Sequence, residues 1–384
     1  MIEREEMNYD DFTLRDVNRD ELSGSLAPFT LVVVTLFLSG TGLLVSYSSS
    51  YDVAISKGLQ HYYYLLEMVT FGALALITGV LVFFTKRKRL EKCAYVFYPI
   101  SLLLMLVESY IAINGKEVAP LFERLNASDI LIFTTVWIVA TAFPKIRNRE
   151  RRGWWYLLIT LAGTISIFLM VLSGKYTYAI LYFLTLVVLF KLSHFGFRFI
   201  LFYSLFTITI FAFLFLLIPS ALESVFNRLM FLDGNSADAE RIINSLNAVR
   251  EGGFLGKGFG NGYYKLSLID GVEGDYVSAN IIEELGILGA LLIFLLFMFL
   301  FILGMRTSNR ALESGDEFVM IASYGFTFVI LFKAILSCFV TLGLFPSSGI
   351  SMPFFSANGF EFYITILECA FLYRFTHITG RSGK

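Results

Sequence analysis

Long apolar segments separated by polar connections make up most of this 384-residue chain. A helix needs about 20 apolar residues, with a range of roughly 17–25, to cross the hydrocarbon core of a bilayer. The segments of suitable length are 28–48, 62–84, 92–113, 128–144, 154–173, 176–192, 196–218, 279–304, 318–345 and 356–375. The fifth and sixth are separated only by residues 173–175. This pattern predicts an all-α integral membrane protein with about ten transmembrane helices.

Basic residues are concentrated in every second connection between the apolar segments. They lie between segments two and three, four and five, six and seven, and eight and nine, and after segment ten. Positively charged loops stay in the cytoplasm, and with ten spans all these clusters fall on the same side. We therefore predict a multi-pass protein with both termini cytoplasmic. Its parts are a cytoplasmic N-terminal tail over 1–27, a polytopic membrane domain over 28–376 and a cytoplasmic C-terminal tail over 377–384.

The composition agrees with membrane insertion and argues against several classes of function. Hydrophobic residues make up 57% of the chain and charged residues 16%, whereas soluble domains contain about 25% charged residues. The net charge of −1 argues against a nucleic-acid partner. The three cysteines lie in apolar segments and the three histidines lie far apart in sequence. We therefore expect neither disulfides nor a histidine-based metal site.

The connection between segments seven and eight, about 219–278, is polar, rich in glycine and much longer than a simple connection. The orientation above makes it a large extracytoplasmic loop between helices seven and eight. It lacks the patterns of nucleotide-binding loops, because Glu251 stands at the first glycine position of a P-loop and Tyr263 at the last glycine of the dinucleotide pattern. An extracytoplasmic site has no access to cytoplasmic ATP. Its substrate must be exported, or be a lipid already moved across the membrane.

The glycines and the basic residues of this loop each allow two interpretations. The glycines form either a tight backbone fold on the membrane surface or a bare backbone that approaches a phosphate closely. The basic residues either pair with nearby acidic residues or bind an anionic lipid head group such as a pyrophosphate. The loop residues predicted as candidates for substrate binding are Gly256, Gly258, Arg241, Arg250, Lys257 and Lys265.

Asp275 is the candidate for chemistry because it stands immediately before segment eight. Aspartate is a preferred helix N-cap, and the alternative is a general base at the boundary between water and lipid. Glu283 and Glu284 follow inside the segment, where ionisable residues are candidates for function; a structural ion pair is the competing explanation. Lys333 and Glu368 lie in the middle of segments nine and ten. We expect these two to pair, because a lone charge in lipid costs several kcal/mol.

Three stretches of the chain match the motifs of a known family. Residues 42–54 are similar to its first-span motif. Residues 245–289 contain its Gly-Gly-x-x-Gly-Lys-Gly-x-Gly run, its Asp-Phe pair as Asp275-Tyr276, and its Glu-Glu-Leu-Gly. Residues 343–358 are similar to its Gly-Leu-Leu-Pro-x-x-Gly-x-x-x-Pro-Phe-x-Ser stretch. By these motifs the chain resembles the SEDS proteins (shape, elongation, division and sporulation), the FtsW/RodA/SpoVE-like group of bacterial cell-wall polymerases.

The resemblance implies a SEDS fold and a peptidoglycan glycosyltransferase. Such an enzyme polymerises lipid II into glycan strands on the outer face of the bacterial cytoplasmic (inner) membrane during cell division or elongation. The resemblance makes Asp275 the catalytic residue, and Ser356 joins Glu283 and Glu284 as candidates for substrate binding. It implies a class B penicillin-binding protein, a transpeptidase, as partner, together with divisome or elongasome proteins. Lys265 after the glycine run slightly favours the division-type, FtsW-like branch.

The chemistry expected from the residues agrees with this function. Lipid II brings its own leaving group, an undecaprenyl pyrophosphate, so one carboxylate base that deprotonates the acceptor sugar hydroxyl suffices. Basic residues, or a divalent cation such as Mg²⁺ or Mn²⁺, would stabilise the leaving pyrophosphate. The sequence identifies no ligands for such an ion.

The chain departs from the family pattern at several motif positions, which makes it a divergent member. The family's Pro-Ser-Glu-x-x-Lys motif has Asp129 here in place of its glutamate and Ile132 in place of its lysine. The last serine of its Ser-Tyr-Gly-Gly-Ser-Ser motif is Glu361. Two alternatives therefore stay open. One is a lipid II flippase or other transporter, although transporters usually show internal repeats and none is evident here; the other is a catalytically weak scaffold for the penicillin-binding protein.

Overall fold

The computed structural model of the chain describes residues 9–114, 125–147, 152–217, 237–265, 272, 274–345 and 349–382. This part contains eleven helices and no strand, which confirms the all-α prediction. Residues 219–236, 266–271 and 273 of the predicted loop lie outside the described residues. The helices are α1 (Tyr9–Ser56), α2 (Tyr63–Phe84), α3 (Arg87–Ile113), α4 (Ala127–Arg147), α5 (Arg152–Leu172), α6 (Tyr176–Leu192), α7 (Phe197–Leu217), α8 (Ala237–Gly252), α9 (Val277–Glu313), α10 (Glu317–Thr341) and α11 (Gly359–Ser382).

Ten of these helices coincide with the ten predicted segments, and α8 forms within the predicted loop. Among the described residues, six helices are long and apolar enough to cross a membrane, namely α1, α2, α3, α4, α9 and α10. Segments five and six form separate helices because the chain turns at Gly174, whose φ of +74° suits glycine. Helix α1 begins at Tyr9, so part of the predicted tail is helical. The protein is an integral membrane protein.

Helices α4 and α10 form the centre of the bundle. In their apolar windows 83% and 72% of residues are buried, against 17% in α2 and α3, which therefore lie at the periphery. Phe133 of α4 stacks on Phe326 of α10 with ring centroids 5.1 Å apart, and both lie 5.5 Å from Phe371 of α11. Aromatic contacts at these distances add to the free energy of burial. The helices that carry the buried charges described below are thus packed directly against one another.

The predicted pair of Lys333 with Glu368 is wrong. The Nζ of Lys333 lies 2.6 Å from Asp129 Oδ1 of α4 and 2.8 Å from Glu361 Oε1 of α11. Glu368 follows Glu361 by seven residues, which is about two helical turns or 10 Å along the axis. A long lysine side chain can extend along its helix toward the nearer end. There Lys333 meets two carboxylates, which compensate the loss of its hydration better than one.

Helix α9 is broken at Gly286, whose φ of +73° and ψ of 176° are not helical. A break of this kind leaves backbone groups on both sides without their usual partners four residues away. Residues 253–265, which we call the glycine loop, pair with these groups through hydrogen bonds of 2.9–3.2 Å. The donor and acceptor pairs are Lys257 N to Glu283 O, Gly258 N to Glu284 O, Ile287 N to Gly253 O, and Leu288 N to Phe254 O.

Three glycines allow the backbone of this region to approach α9 so closely. A Cβ atom at any of them would lie only 2.1–2.4 Å from a backbone oxygen, that of Ile282 for Gly252, of Glu284 for Gly256 and of Phe254 for Gly286. No side chain fits into such a contact. The amides of Gly256 and Gly258 both donate to carbonyls within the protein. The interpretation as a tight backbone fold therefore explains Gly256 and Gly258, and the amide of neither is available to a phosphate.

The glycine loop continues the apolar surface of α9 that faces lipid. Phe254 and Leu255 at its start are 66% and 73% exposed. They follow directly on Ile287 and Leu288, the first exposed apolar residues of α9 after the break. Apolar side chains that continue a lipid-facing surface are buried when lipid covers them. These exposed apolar side chains support the predicted position of the loop at the membrane surface, which stays a prediction.

We predict that Gly256→Ala destabilises the protein much more than Gly260→Ala. Both glycines have positive φ, +79° and +83°, so each substitution introduces about 1–2 kcal/mol of backbone strain. Only at Gly256 does the new Cβ meet the backbone of α9, because nothing lies within 4 Å of a Cβ at Gly260. Thermal unfolding in detergent, followed with a dye that reacts with newly exposed cysteines, should give the lower melting temperature for Gly256→Ala. Equal melting temperatures would contradict the explanation by close approach.

Candidate active site

Asp275 lies where the start of α9 meets the segment between α10 and α11. Its Oδ2 accepts a hydrogen bond of 2.9 Å from the backbone N–H of Gly349, and the side chain is half-buried. The N-cap residue of α9 is Tyr276, and no side chain caps this end of the helix. The interpretation of Asp275 as the helix N-cap is therefore wrong. A hydrogen bond donated to a carboxylate favours its ionised form, which is the form that a general base needs.

Glu283 holds the end of the glycine loop from inside the bundle. Its side chain is fully buried, and its Oε1 and Oε2 accept hydrogen bonds from the backbone N–H groups of Tyr263 and Tyr264 at 2.6 and 3.2 Å. Lys257 Nζ lies 3.4 Å from Glu283 Oε1 and 3.3 Å from Glu251 Oε2. Although desolvation acts in the opposite direction, these two carboxylates raise the pKa of Lys257. The lysine therefore stays charged within the loop.

Glu284 forms a buried ion pair with Lys265. Lys265 Nζ donates to Glu284 Oε1 at 2.6 Å, to the hydroxyl of Ser48 at 2.7 Å and to the carbonyl of Gly260 at 3.0 Å. The hydroxyl of Ser48 in turn donates to Glu284 Oε1 at 2.6 Å. These bonds connect α1, α9 and the end of the glycine loop. The geometry supports the structural ion pair as the role of Glu284 and Lys265.

The other candidates for substrate binding lie on separate elements. Arg241 is half-buried in α8, and Arg250 is exposed in the last turn of this helix. Ser356 is buried ahead of α11, and its Oγ accepts a hydrogen bond of 3.2 Å from the backbone N–H of Asn358. The structure brings Asp275 together with the segment that carries Ser356. Lys257 contacts Glu251 and Glu283, and Lys265 contacts Glu284. A role in binding substrate stays a prediction for all the basic residues.

A cluster of buried polar side chains lies beneath this segment. We call it the buried lysine network, and its members are Lys333, Asp129, Glu361 and Ser351, all only 2–4% exposed. Besides the two contacts of Lys333 given above, the hydroxyl of Ser351 donates to Glu361 Oε2. The hydroxyl of Tyr178 donates to Asp129 Oδ2 at 3.1 Å. Every carboxylate oxygen of the network thus accepts a hydrogen bond.

Hydrogen bonds continue from the buried lysine network toward α3. The side-chain amide of Asn126 donates to the hydroxyl of Tyr178 at 2.6 Å. Lys175 Nζ donates to Asn126 Oδ1 at 2.7 Å and is paired with Glu108 of α3. A chain of hydrogen bonds and ion pairs thus connects Glu108 of α3 with the buried lysine network.

Sequence reasoning does not single out Gly349 or the buried lysine network as parts of the site. Their backbone and side-chain partners are distant in sequence, and only the fold brings them together. A signal was nevertheless present, since Gly349 lies in a family motif, and Asp129, Ile132 and Glu361 are departures from such motifs. Two of these departures, Asp129 and Glu361, contact the same residue, Lys333.

The part of the chain that the structure describes contains no cluster of side chains suited to a resident metal ion. There, no three His, Cys, Asp or Glu side chains converge to form a metal site. Asp275 lies outside the two buried clusters, whose carboxylate groups are already engaged by lysines and hydroxyls. The residues described do not fit a resident Mg²⁺ or Mn²⁺, and we derive no step through one.

We predict that Lys265→Met destabilises the protein strongly and that the double variant Lys265→Met/Glu284→Gln recovers most of the loss. Removing one partner of a buried ion pair leaves an unpaired charge and costs about 3–5 kcal/mol. Lys145→Met is the control, because it breaks a lysine–glutamate pair whose lysine is 48% exposed, worth about 1 kcal/mol or less. Thermal unfolding measures all three. If Lys265→Met melts like Lys145→Met, the structural role is contradicted and substrate binding is favoured.

Comparison with known proteins agrees with the motifs. The model of the FtsW/RodA/SpoVE family, described as cell cycle protein, matches residues 29–380. A probable peptidoglycan glycosyltransferase FtsW of Borreliella burgdorferi is 24% identical over 339 residues, which cover 87% of this chain and 92% of the relative. The protein of the same name from Marinobacter nauticus is 26% identical over 363 residues, 92% of this chain and 90% of the relative.

Solved structures show the same fold. A chain from a study of "Structural coordination of polymerization and crosslinking by a peptidoglycan synthase complex" matches with a TM-score of 0.66 and 17% identity, covering 91% of this chain and 98% of that one. The rod shape determining protein RodA of Thermus thermophilus matches with a TM-score of 0.58 and 18% identity, covering 89% of this chain and 95% of that one. The match of the family model to nearly the whole chain shows that this protein belongs to the FtsW/RodA/SpoVE family, the SEDS proteins.

Proposed function

We propose that this protein is a peptidoglycan glycosyltransferase that polymerises lipid II, with Asp275 as its general base. The observation that carries the proposal is the half-buried Asp275 carboxylate, held by the Gly349 N–H at the start of a membrane helix. The names of the relatives support the reaction. The lipid-facing glycine loop next to this helix supports a substrate that arrives from the membrane.

The proposed reaction is a single displacement at the anomeric carbon of the donor. Asp275 takes the proton from the hydroxyl of the acceptor sugar, and the oxygen attacks the anomeric carbon as the bond to the pyrophosphate breaks. The undecaprenyl pyrophosphate leaves with the electron pair of that bond, the configuration at the anomeric carbon inverts, and the proton on Asp275 passes to water. Because the leaving group is already activated, no general acid is required.

Positive charge near the leaving pyrophosphate would lower the barrier further. We assign this role to Arg250, which is exposed at the end of α8, with Arg241 and Lys257 as further candidates. Lys265, Glu283 and Glu284 act indirectly, by holding the glycine loop on α9. A divalent cation that the substrate itself brings on its pyrophosphate would supply the same stabilisation.

We propose ten transmembrane spans, a loop over 219–278 on the outer face of the bacterial cytoplasmic membrane, and both termini in the cytoplasm. The ten helices that coincide with the apolar segments and the basic residues in every second connection support this arrangement. We further propose a class B penicillin-binding protein as partner within the division or elongation machinery. The solved relative from a complex that couples polymerisation to crosslinking supports this partner.

We predict that Asp275→Asn lowers polymerisation of purified lipid II by at least about 100-fold, the usual contribution of a general base. The melting temperature should stay the same, because asparagine also accepts the Gly349 N–H. Asp316→Asn is the control, since this aspartate caps α10 at the far end of the α9–α10 pair and asparagine caps as well. The substitution also weakens the pair of Asp316 with Arg87, which is 48% exposed, at about 1 kcal/mol or less. The measurement is the length and amount of glycan strands, with and without the penicillin-binding partner. Strands from Asp275→Asn would refute the base, and none from wild type would favour the scaffold or transporter.

The proposed orientation predicts opposite labelling of two cysteine variants. Phe259→Cys lies in the glycine loop and Ser314→Cys in the turn between α9 and α10. In a background with Cys93, Cys338 and Cys369 replaced by alanine, a maleimide that cannot cross membranes should label only Phe259→Cys in intact cells stripped of their wall. Ser314→Cys should react only after permeabilisation, and the reverse pattern would contradict the orientation.

A further inference from the structure

Two departures from the family's motifs meet at one lysine. In α4, Ile132 stands where the motif has its lysine, one turn after Asp129. In α11, Glu361 stands where another motif has serine. Lys333 of α10 contacts both acidic residues directly. Lys333 of α10 thus supplies beside Asp129 a positive charge that α4 lacks at position 132, and Glu361 of α11 supplies a second carboxylate.

The resulting cluster is rigid as well as buried. Removing charges from water costs free energy that only close pairing and further hydrogen bonds restore. Here Lys333 bridges the two carboxylates, and the hydroxyls of Tyr178 and Ser351 donate to their remaining oxygens. Any displacement of one member would leave a buried polar atom without its partner, at about 1–3 kcal/mol or more. The network therefore fixes the relative positions of α4, α10 and α11 at this point.

The network also reaches the segment that holds Asp275. Ser351 lies two residues after Gly349, whose N–H is bound to the Asp275 carboxylate. Met352 is the next residue, and its Sδ accepts a hydrogen bond of 3.6 Å from the hydroxyl of Ser278, three residues after Asp275 in the chain. Gly349, which donates the hydrogen bond, and the start of α9, which carries the accepting Asp275, are thus both held by residues 351–352. A shift of about 1 Å would break a bond of this length.

We propose that the buried lysine network positions Asp275 for catalysis, by fixing the segment whose Gly349 N–H holds its carboxylate. The proposal rests on the role of Asp275 as general base. The members of the buried lysine network do not touch the substrate, since all are almost fully buried. They act through Gly349, because a base contributes fully only when it is held in the geometry of the reaction.

Hydrogen exchange measured by mass spectrometry tests the anchoring without any need for activity. The key variant is Ser351→Ala, which removes only the link between Glu361 and the segment. We expect exchange in peptides covering 349–358 of the full-length protein to become at least about tenfold faster, because local opening sets the rate. Ser109→Ala is the matched control, since this buried hydroxyl bonds only to its own helix. Unchanged exchange in Ser351→Ala would overturn the proposal.

The polymerisation assay tests whether the anchoring serves catalysis. We expect Ser351→Ala to lower kcat about tenfold with KM within about twofold, because the chemical step loses its alignment while substrate binding is kept. Its melting temperature should stay close to that of the wild type, which separates positioning from a general loss of structure. Faster exchange with unchanged kcat would overturn the positioning role. Wild-type protein that makes no strands, with exchange that still responds to Ser351→Ala, would refute the proposed function and leave the anchoring in place.

Moving the lysine from α10 to α4 tests whether the network requires a positive charge at this place, whichever helix carries it. Lys333→Ile alone leaves two buried carboxylates without a cation and should speed exchange over 349–358 at least as much as Ser351→Ala. The double variant Ile132→Lys/Lys333→Ile returns the lysine to the helix where the family motif has it. We expect it to restore exchange and kcat to within about threefold of wild type. A double variant that behaves like Lys333→Ile alone would overturn the equivalence of the two positions.

Discussion

The structure around Asp275 depends on the pairing of backbone groups that α9 releases at Gly286. A break inside an apolar helix leaves N–H and C=O groups that lipid cannot satisfy, so some other part of the chain must bond to them. The glycine loop does so with its own backbone, which is why the contact tolerates no Cβ on either side. One constraint thus explains the break, the glycines and the position of the loop against α9.

Two buried lysines then hold the glycine loop and the segment before α11. Lys265 fixes the end of the glycine loop to α1 and α9 through Glu284 and Ser48. Lys333 fixes the segment before α11 through Glu361. Lys265 is bound by a carboxylate and a hydroxyl, and Lys333 by two carboxylates, so either arrangement is costly to break on one side alone. Asp275 itself is only half-buried, so its carboxylate stays accessible beside these anchored segments.

The sequence predicts those features that depend on local pattern. Apolar segments of sufficient length give the helices, and the position of Asp275 before the eighth segment is visible directly. Features that depend on packing are not predicted. Helix α8 is polar and short, so hydropathy does not reveal it. Lys333 and Glu368 both lie in the middle of their apolar segments, which suggests that they pair. The length of the lysine side chain and the position of Asp129 instead lead Lys333 to pair with Asp129. Gly349 contributes only a backbone N–H, and its place in a family motif does not reveal which group that N–H binds.

The break at Gly286 also has a mechanical consequence. The part of α9 after the break is a long apolar rod, and such helices tilt to match the thickness of the bilayer around them. The short part before it is bound to the rod through the glycine loop, which bonds to backbone groups on both sides of the break. A tilt of the rod therefore pulls on the glycine loop and on the start of α9 together. The thickness of the surrounding bilayer thus acts on the position of Asp275 through hydrogen bonds as well as through the chain.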